Sequence, residues 1–164
     1  ERLDNEGLGI AGTRFTYEIG GLVAWAPGTT DIVLPDALSD PSFGRVAIAN
    51  PRLAPYGRAA QQALQQLDTW EQLQPRLVRG ENVGQALQFV HSGNAAIGLV
   101  ARAQLVALSD QAGGTQWPVP AELYTPIEQQ AILLRDRPAA RSFHDYLRSD
   151  AARGIIQAAG YTLP

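Results

Sequence analysis

The chain has 164 residues, 45% hydrophobic and 18% charged, enough for one ordinary domain or two small lobes with a real core. Thirteen basic residues, all arginine and scattered from Arg2 to Arg153, face sixteen acidic ones for a net charge of −3, which is not the basic stripe of a nucleic-acid binder. Cysteine is absent, excluding thiolate catalysis, disulfides and cysteine zinc sites, and the longest apolar stretch, Ala95–Ala101, is far below the roughly 20 residues of a membrane helix.

Glu1 opens a polar stretch with no basic or apolar signal region, so no signal peptide is expected within this chain. Thr13–Ile19 is β-prone, and Gly21–Trp25 (GLVAW) reads as a buried strand ended by the Pro27–Gly28 turn. Residues 28–44 read as loop with one helical turn, and Arg45–Ala49 as a short strand closed by Asn50–Pro51. Ala60, Ala63, Leu64 and Leu67 then stand at the spacing of one helical face, in a helix starting near Tyr56–Gly57. Leu77–Val78 predicts a strand, and Asn82 caps a second helix with Val83, Ala86, Leu87 and Val90 on one face. Ala95–Val100 is a third strand, residues 113–120 read as irregular, and Gln130–Leu134 as a strand. Two helices close the chain, one led by Pro138 with Ala139, Phe143, Tyr146 and Leu147 on a face, one with Ala152, Ile155, Ile156 and Ala159.

The order β-α-β-α-β predicts a parallel three-layer α/β lobe over 27–124. Residues 1–26 and 125–164 would then form a partial first lobe with hinge strands, the plan of a hinged binding protein. No internal repeat is seen. The helix starts at Tyr56–Gly57 and at Val83 follow strands directly, where an open parallel sheet binds ligands. Helix N-termini offer amide protons and a positive dipole end, a neutral anion receptor without lysine or arginine.

The blocks Ala47–Leu64 (AIANPRLAPYGRAAQQAL), Gly80–Val90 (GENVGQALQFV), Ser92–Leu99 (SGNAAIGL) and Tyr146–Tyr161 (ending AAGY) resemble the periplasmic molybdate-binding proteins of ABC importers. The resemblance implies a periplasmic-binding-protein-like fold of two α/β lobes that clamp a tetrahedral oxyanion through backbone amides and hydroxyls. It implies a receptor that is not an enzyme, has no cofactor, takes molybdate or tungstate and serves a membrane permease from the periplasm. Its ligand-binding positions fall on Tyr56, Val83 and Ala101, the first two through their amides, with Pro55, Gly57 and Asn82 in support. Where some members carry a tyrosine after the third strand, this chain has Ala101, so that hydroxyl is missing and Tyr56 is the phenol at hand. The family's early AASL- and GASG-type motifs do not occur here. The first lobe is therefore expected to be partial, binding weakened, and the chain prone to self-association through its last two helices. Another oxyanion such as sulfate or phosphate, or an oxyanion-sensing regulatory domain, is the alternative.

The remaining polar residues read more plainly. His91 and His144 lie far apart with no acidic partner at ligand spacing, so no metal site is expected from side chains. His91 reads as an exposed helix end, and Ser142 with His144 as an ordinary polar helix face. Ser42, Ser92 and Ser142 lack a nucleophile-elbow setting. Trp25, Trp70 and Trp117 read as packing groups, and Asp145 and Asp150 as solvated.

Overall fold

The chain crosses between two units at Gly20–Gly21 and again at Ile127–Glu128 in the computed structural model, which describes residues 2–30 and 32–164. The elements run α1 (Arg2–Asn5), β1 (Phe15–Gly20), β2 (Leu22–Ala26), α2 (Asp36–Ser39), β3 (Val46–Ala49), α3 (Pro55–Gln66) and α4 (Trp70–Leu73). They continue as β4 (Leu77–Gly80), α5 (Val83–His91), β5 (Ile97–Ala101), α6 (Arg102–Leu108), β6 (Thr115–Pro118), β7 (Ile127–Ala131), α7 (Pro138–Tyr146) and α8 (Asp150–Ala158).

The unit running Gly21–Ile127 holds a five-stranded sheet in the order β4-β3-β5-β2-β6. Strands β4, β3 and β5 are parallel, as the alternation of strands and helices predicts. Strand β2 then pairs antiparallel with both β5 and β6, so the sheet is mixed. This moves GLVAW from the hinge to the middle of the sheet, where all five residues of β2 are buried. The division at 20/21 and 127/128 consequently differs from the 26/27 and 124/125 read from spacing. A strand covered on both faces is apolar throughout, so its composition does not reveal its partners.

Side chains alternate between two cores. Leu22, Ala24, Val46, Ile48, Ile97 and Leu99 face one side and pack with Ala60, Ala63 and Leu64 of α3. Val23, Trp25, Ala47 and Val100 face the other, with Val90 of α5 and Leu105 of α6. The opposite placement of α3 and α5 follows from handedness. The β3–α3–β4 crossover steps outward and the β4–α5–β5 crossover steps back, so right-handed connections put the two helices on opposite faces. Beneath α5 the sheet has no side chain at Gly98, where a β-carbon would stand 2.4 Å from a Val90 methyl, so α5 lies close on the sheet there.

Strand β6 occupies part of 113–120, where no strand was expected. Its Pro118 is tolerated because β6 is at the sheet's edge and needs a ladder on one side only.

The other unit, built from the chain ends, pairs β1 with β7 and carries α1, α7 and α8. β7 begins at Ile127, earlier than the Gln130–Leu134 expected. The buried side of α7 is turned by one residue from the predicted face: His144 is buried, whereas Phe143 is 61% exposed. His144 is thus not part of a polar outer face. Its Nε2 meets the Thr13 carbonyl at 2.7 Å, its ring stands edge-on to Phe15, and the Arg148 guanidinium lies 3.9 Å over the Phe15 ring. These polar contacts let a histidine take a core position that periodicity assigns to apolar residues. In α8, Ala152 and Ile156 are buried while Ile155 is exposed.

Candidate functional site

The connection after β3 leaves toward β4 and that after β5 leaves toward β6, so the two diverge at the carboxyl ends of β3 and β5. A crevice opens at such a switch point, because no connection crosses it. What lines it is set by three short loops.

Asn50 shapes the first. Its side chain accepts from the Arg52 N–H at 3.0 Å, and its carbonyl accepts from Leu53 and Ala54, folding the loop into α3. Pro55 at the first helical position carries no N–H, and the Gly57 and Arg58 amides go to the Ala54 carbonyl. Tyr56 therefore supplies the first amide of the helix. Its ring is buried in the core on the α3 side. Gly57 must be glycine for a steric reason, since a β-carbon there would stand 2.5 Å from the Ala49 carbonyl oxygen. Only its absence lets the first turn of α3 sit directly on the end of β3.

Asn82 shapes the second. It is extended, with φ −143° and ψ 173°, and its Oδ1 accepts from the Gln85 N–H at 3.0 Å. The Gln85 side chain reaches back to the Glu81 N–H at 2.8 Å, a variant of the reciprocal cap. The Ala86 amide goes to the Asn82 carbonyl. Among the described residues, the Val83 and Gly84 amides meet no protein acceptor. Replacing Asn82 with alanine is expected to cost about 1 kcal/mol, seen as a melting temperature lower by about 2–4 °C. An unchanged melting temperature would show that the cap contributes nothing to the fold.

Ala101 ends β5 and is the N-cap of α6. Its N–H is taken by Gln104 Oε1 at 3.2 Å, so beyond its methyl it has no polar side-chain group to offer. Tyr56 and Ala101 belong to the same buried cluster, and Val83 packs against it. Reading the sequence overlooked Gly84, whose amide stands beside that of Val83, and Gln104. The Ala101-x-x-Gln104 spacing was the available signal, half of a capping box whose first residue lacks a hydroxyl.

One cleft shares the loop after β3 with this edge. A cleft of about 610 Å³ is lined by Asn50, Gln61, Trp70 and Arg79, and an apolar one of about 600 Å³ by Leu3, Ile132, Leu134, Phe143 and Leu147. Neither is lined by Tyr56, Val83 or Ala101. Burial raises the Glu18 carboxyl, and burial with the neighbouring Glu18 charge raises the phenols of Tyr17 and Tyr161, all in the unit of the chain ends. Among the described residues, no three His, Asp or Glu side chains gather as metal ligands. No described helix is long and apolar enough to cross a membrane.

The chain is 44% identical over 168 residues to the molybdate-binding protein ModA of Azotobacter vinelandii, and 39% identical over 159 residues to that of Rhodobacter capsulatus. These alignments take in 99% and 95% of this chain but 66% and 62% of the relatives, so it spans less than two thirds of their length. Its fold superposes on the solved periplasmic molybdate-binding protein of Azotobacter vinelandii with a TM-score of 0.88 at 39% identity, covering 99% of this chain and 73% of that one. Residues 1–162 match the family described as bacterial extracellular solute-binding protein. With an α/β fold, an open switch-point edge and a family match along almost its whole length, the chain belongs to the bacterial extracellular solute-binding proteins.

Proposed function

We propose that this chain is the receptor part of an ABC importer that captures molybdate in the periplasm and delivers it to a membrane permease. The observation that carries this reading is the pair of unengaged amides, Val83 and Gly84, at the capped start of α5, beside the first turn of α3. The relatives named molybdate-binding support the choice of ion. In this reading Tyr56 and Val83 donate their N–H groups to oxyanion oxygens, Gly57 and Asn82 hold the two helix starts, and Pro55 aims the first amide. Ala101 borders the site without a hydrogen bond to the ion.

Amide donors suit a dianion with no proton of its own, because every oxygen can then accept. Tungstate has nearly the same size and binds alike. Sulfate is smaller, so donors spaced for molybdate reach it with stretched bonds.

Calorimetric titration with molybdate, tungstate, sulfate and phosphate, carried to millimolar concentrations, tests the proposal. Molybdate and tungstate are expected to bind alike and more tightly than the other two. Tighter binding of sulfate or phosphate would replace the ion, and binding of none of the four would overturn the reading.

A further inference from the structure

Gln104 stands at the third position of α6, with its Oε1 held by the Ala101 N–H at 3.2 Å. That bond orients the carboxamide, because only its oxygen can accept, and the NH₂ group is turned away from the cap. Its nitrogen lies 3.9 Å from where a β-carbon on Gly84 would stand, so the group faces the first turn of α5. Among the described residues, this half-buried NH₂ donates to no protein acceptor. A fixed side-chain donor thus borders two helix amides that also have no acceptor.

We infer that Gln104 is a further ligand of the oxyanion site, donating an Nε2 proton to the bound ion, and that it selects tetrahedral oxyanions carrying no proton. The inference rests on the proposed reading of the α5 start as the anion site. Gln104 supplies from α6 the side-chain donor that Ala101 lacks. With its oxygen already engaged, it adds a proton to the site and no acceptor. A molybdate oxygen accepts that proton, whereas the O–H of a hydrogen phosphate finds no acceptor in a site made only of donors. The glycine at 84 fits the same picture, since a β-carbon there would crowd Asn82 Oδ1 at 3.1 Å and touch the Gln104 nitrogen at 3.9 Å.

Two measurements separate this inference from the reading beneath it. In a ¹⁵N-resolved NMR titration with sodium molybdate, the Gln104 side-chain NH₂ is expected to shift along the same binding curve as the Val83 and Gly84 amides. Gln104→Glu keeps an oxygen for the Ala101 N–H but turns the donor into a negatively charged acceptor. It is expected to lower molybdate affinity about ten- to a hundredfold, and hydrogen phosphate affinity less, with Gln104→Ala in between for molybdate. If the Val83 and Gly84 amides shift while the Gln104 NH₂ does not, and Gln104→Glu binds like the parent, Gln104 is no ligand and the site stands. If saturating molybdate leaves the Val83 and Gly84 amides unmoved, or the parent does not bind it, both the site and this inference fall.

Discussion

Val83→Pro is expected to bind molybdate about ten- to a hundredfold more weakly than the parent while keeping its fold. Val83 is the first helical residue of α5, where proline is tolerated because no intrahelical bond uses that amide and proline's φ already suits the helix. The preceding Asn82 is extended, the conformation that a residue before proline prefers. The backbone can thus stay in place while one N–H disappears. A hydrogen bond to a charged group contributes about 1.5–3 kcal/mol, which sets the size of the loss. Val83→Ala trims the apolar side chain further than proline does but keeps the amide, so it should bind like the parent. The side chain packs on the core at the α3 side, and both variants should share a small drop in melting temperature. Should Val83→Pro bind as tightly as Val83→Ala, the α5 amide is not a ligand.

Trp25→Ala is expected to destabilise the chain by about 3–5 kcal/mol. Trp25 is 0% exposed, sits in the antiparallel ladder opposite Gly98 and Gln116, and heads the large side chains of the core on the α5 side. Removing the indole leaves a void between β2 and the helices that cover this face, and close-packed neighbours cannot fill it. The urea midpoint should fall by about 1 M or more, given a slope of about 1–3 kcal/mol per molar. The indole Nε1 also donates to the Gly113 carbonyl at 2.9 Å, closing the loop that precedes β6. Trp25→Phe isolates that bond, because it keeps most of the apolar area and loses the donor. Since Gly113 is exposed and its carbonyl can turn to water, this variant should lose only about 1 kcal/mol from the hydrogen bond. Equal midpoints for Trp25→Ala and the parent would show that β2 is not central to the stability of the sheet.

The helix starts proposed to hold the anion depend on local chemistry, which is why they were legible early. Asn82 before an apolar stripe, Pro55 at a helix start and Gly57 in the first turn act within a few residues of themselves. Their effects need no partner from elsewhere in the chain. The parallel pairing of β3, β4 and β5 was legible for a related reason: helices alternate with these strands, and such crossovers return the chain to the same sheet in parallel.

The residue sequence alone determined the helices that became α3, α5, α7 and α8, the Asn82 cap, the parallel strands and the family resemblance that brings Tyr56 and Val83 forward, whereas α4 and α6 came only with the structure. Tertiary structure decided the place of β2, the strand at Thr115–Pro118, the burial of His144 and the meeting of Gln104 with Gly84. Each of these depends on a partner far along the chain. GLVAW is apolar on both faces and would suit any buried strand, so the backbone bonds to β5 and β6 choose its position. His144 becomes a core residue only because the Thr13 carbonyl and Phe15 arrive beside it from the other end of the chain. Gln104 is an ordinary polar helix residue in its own segment. It faces the proposed anion site only because the crossover through α5 lays another helix start against it, a juxtaposition set by strand order and handedness and written in no local pattern.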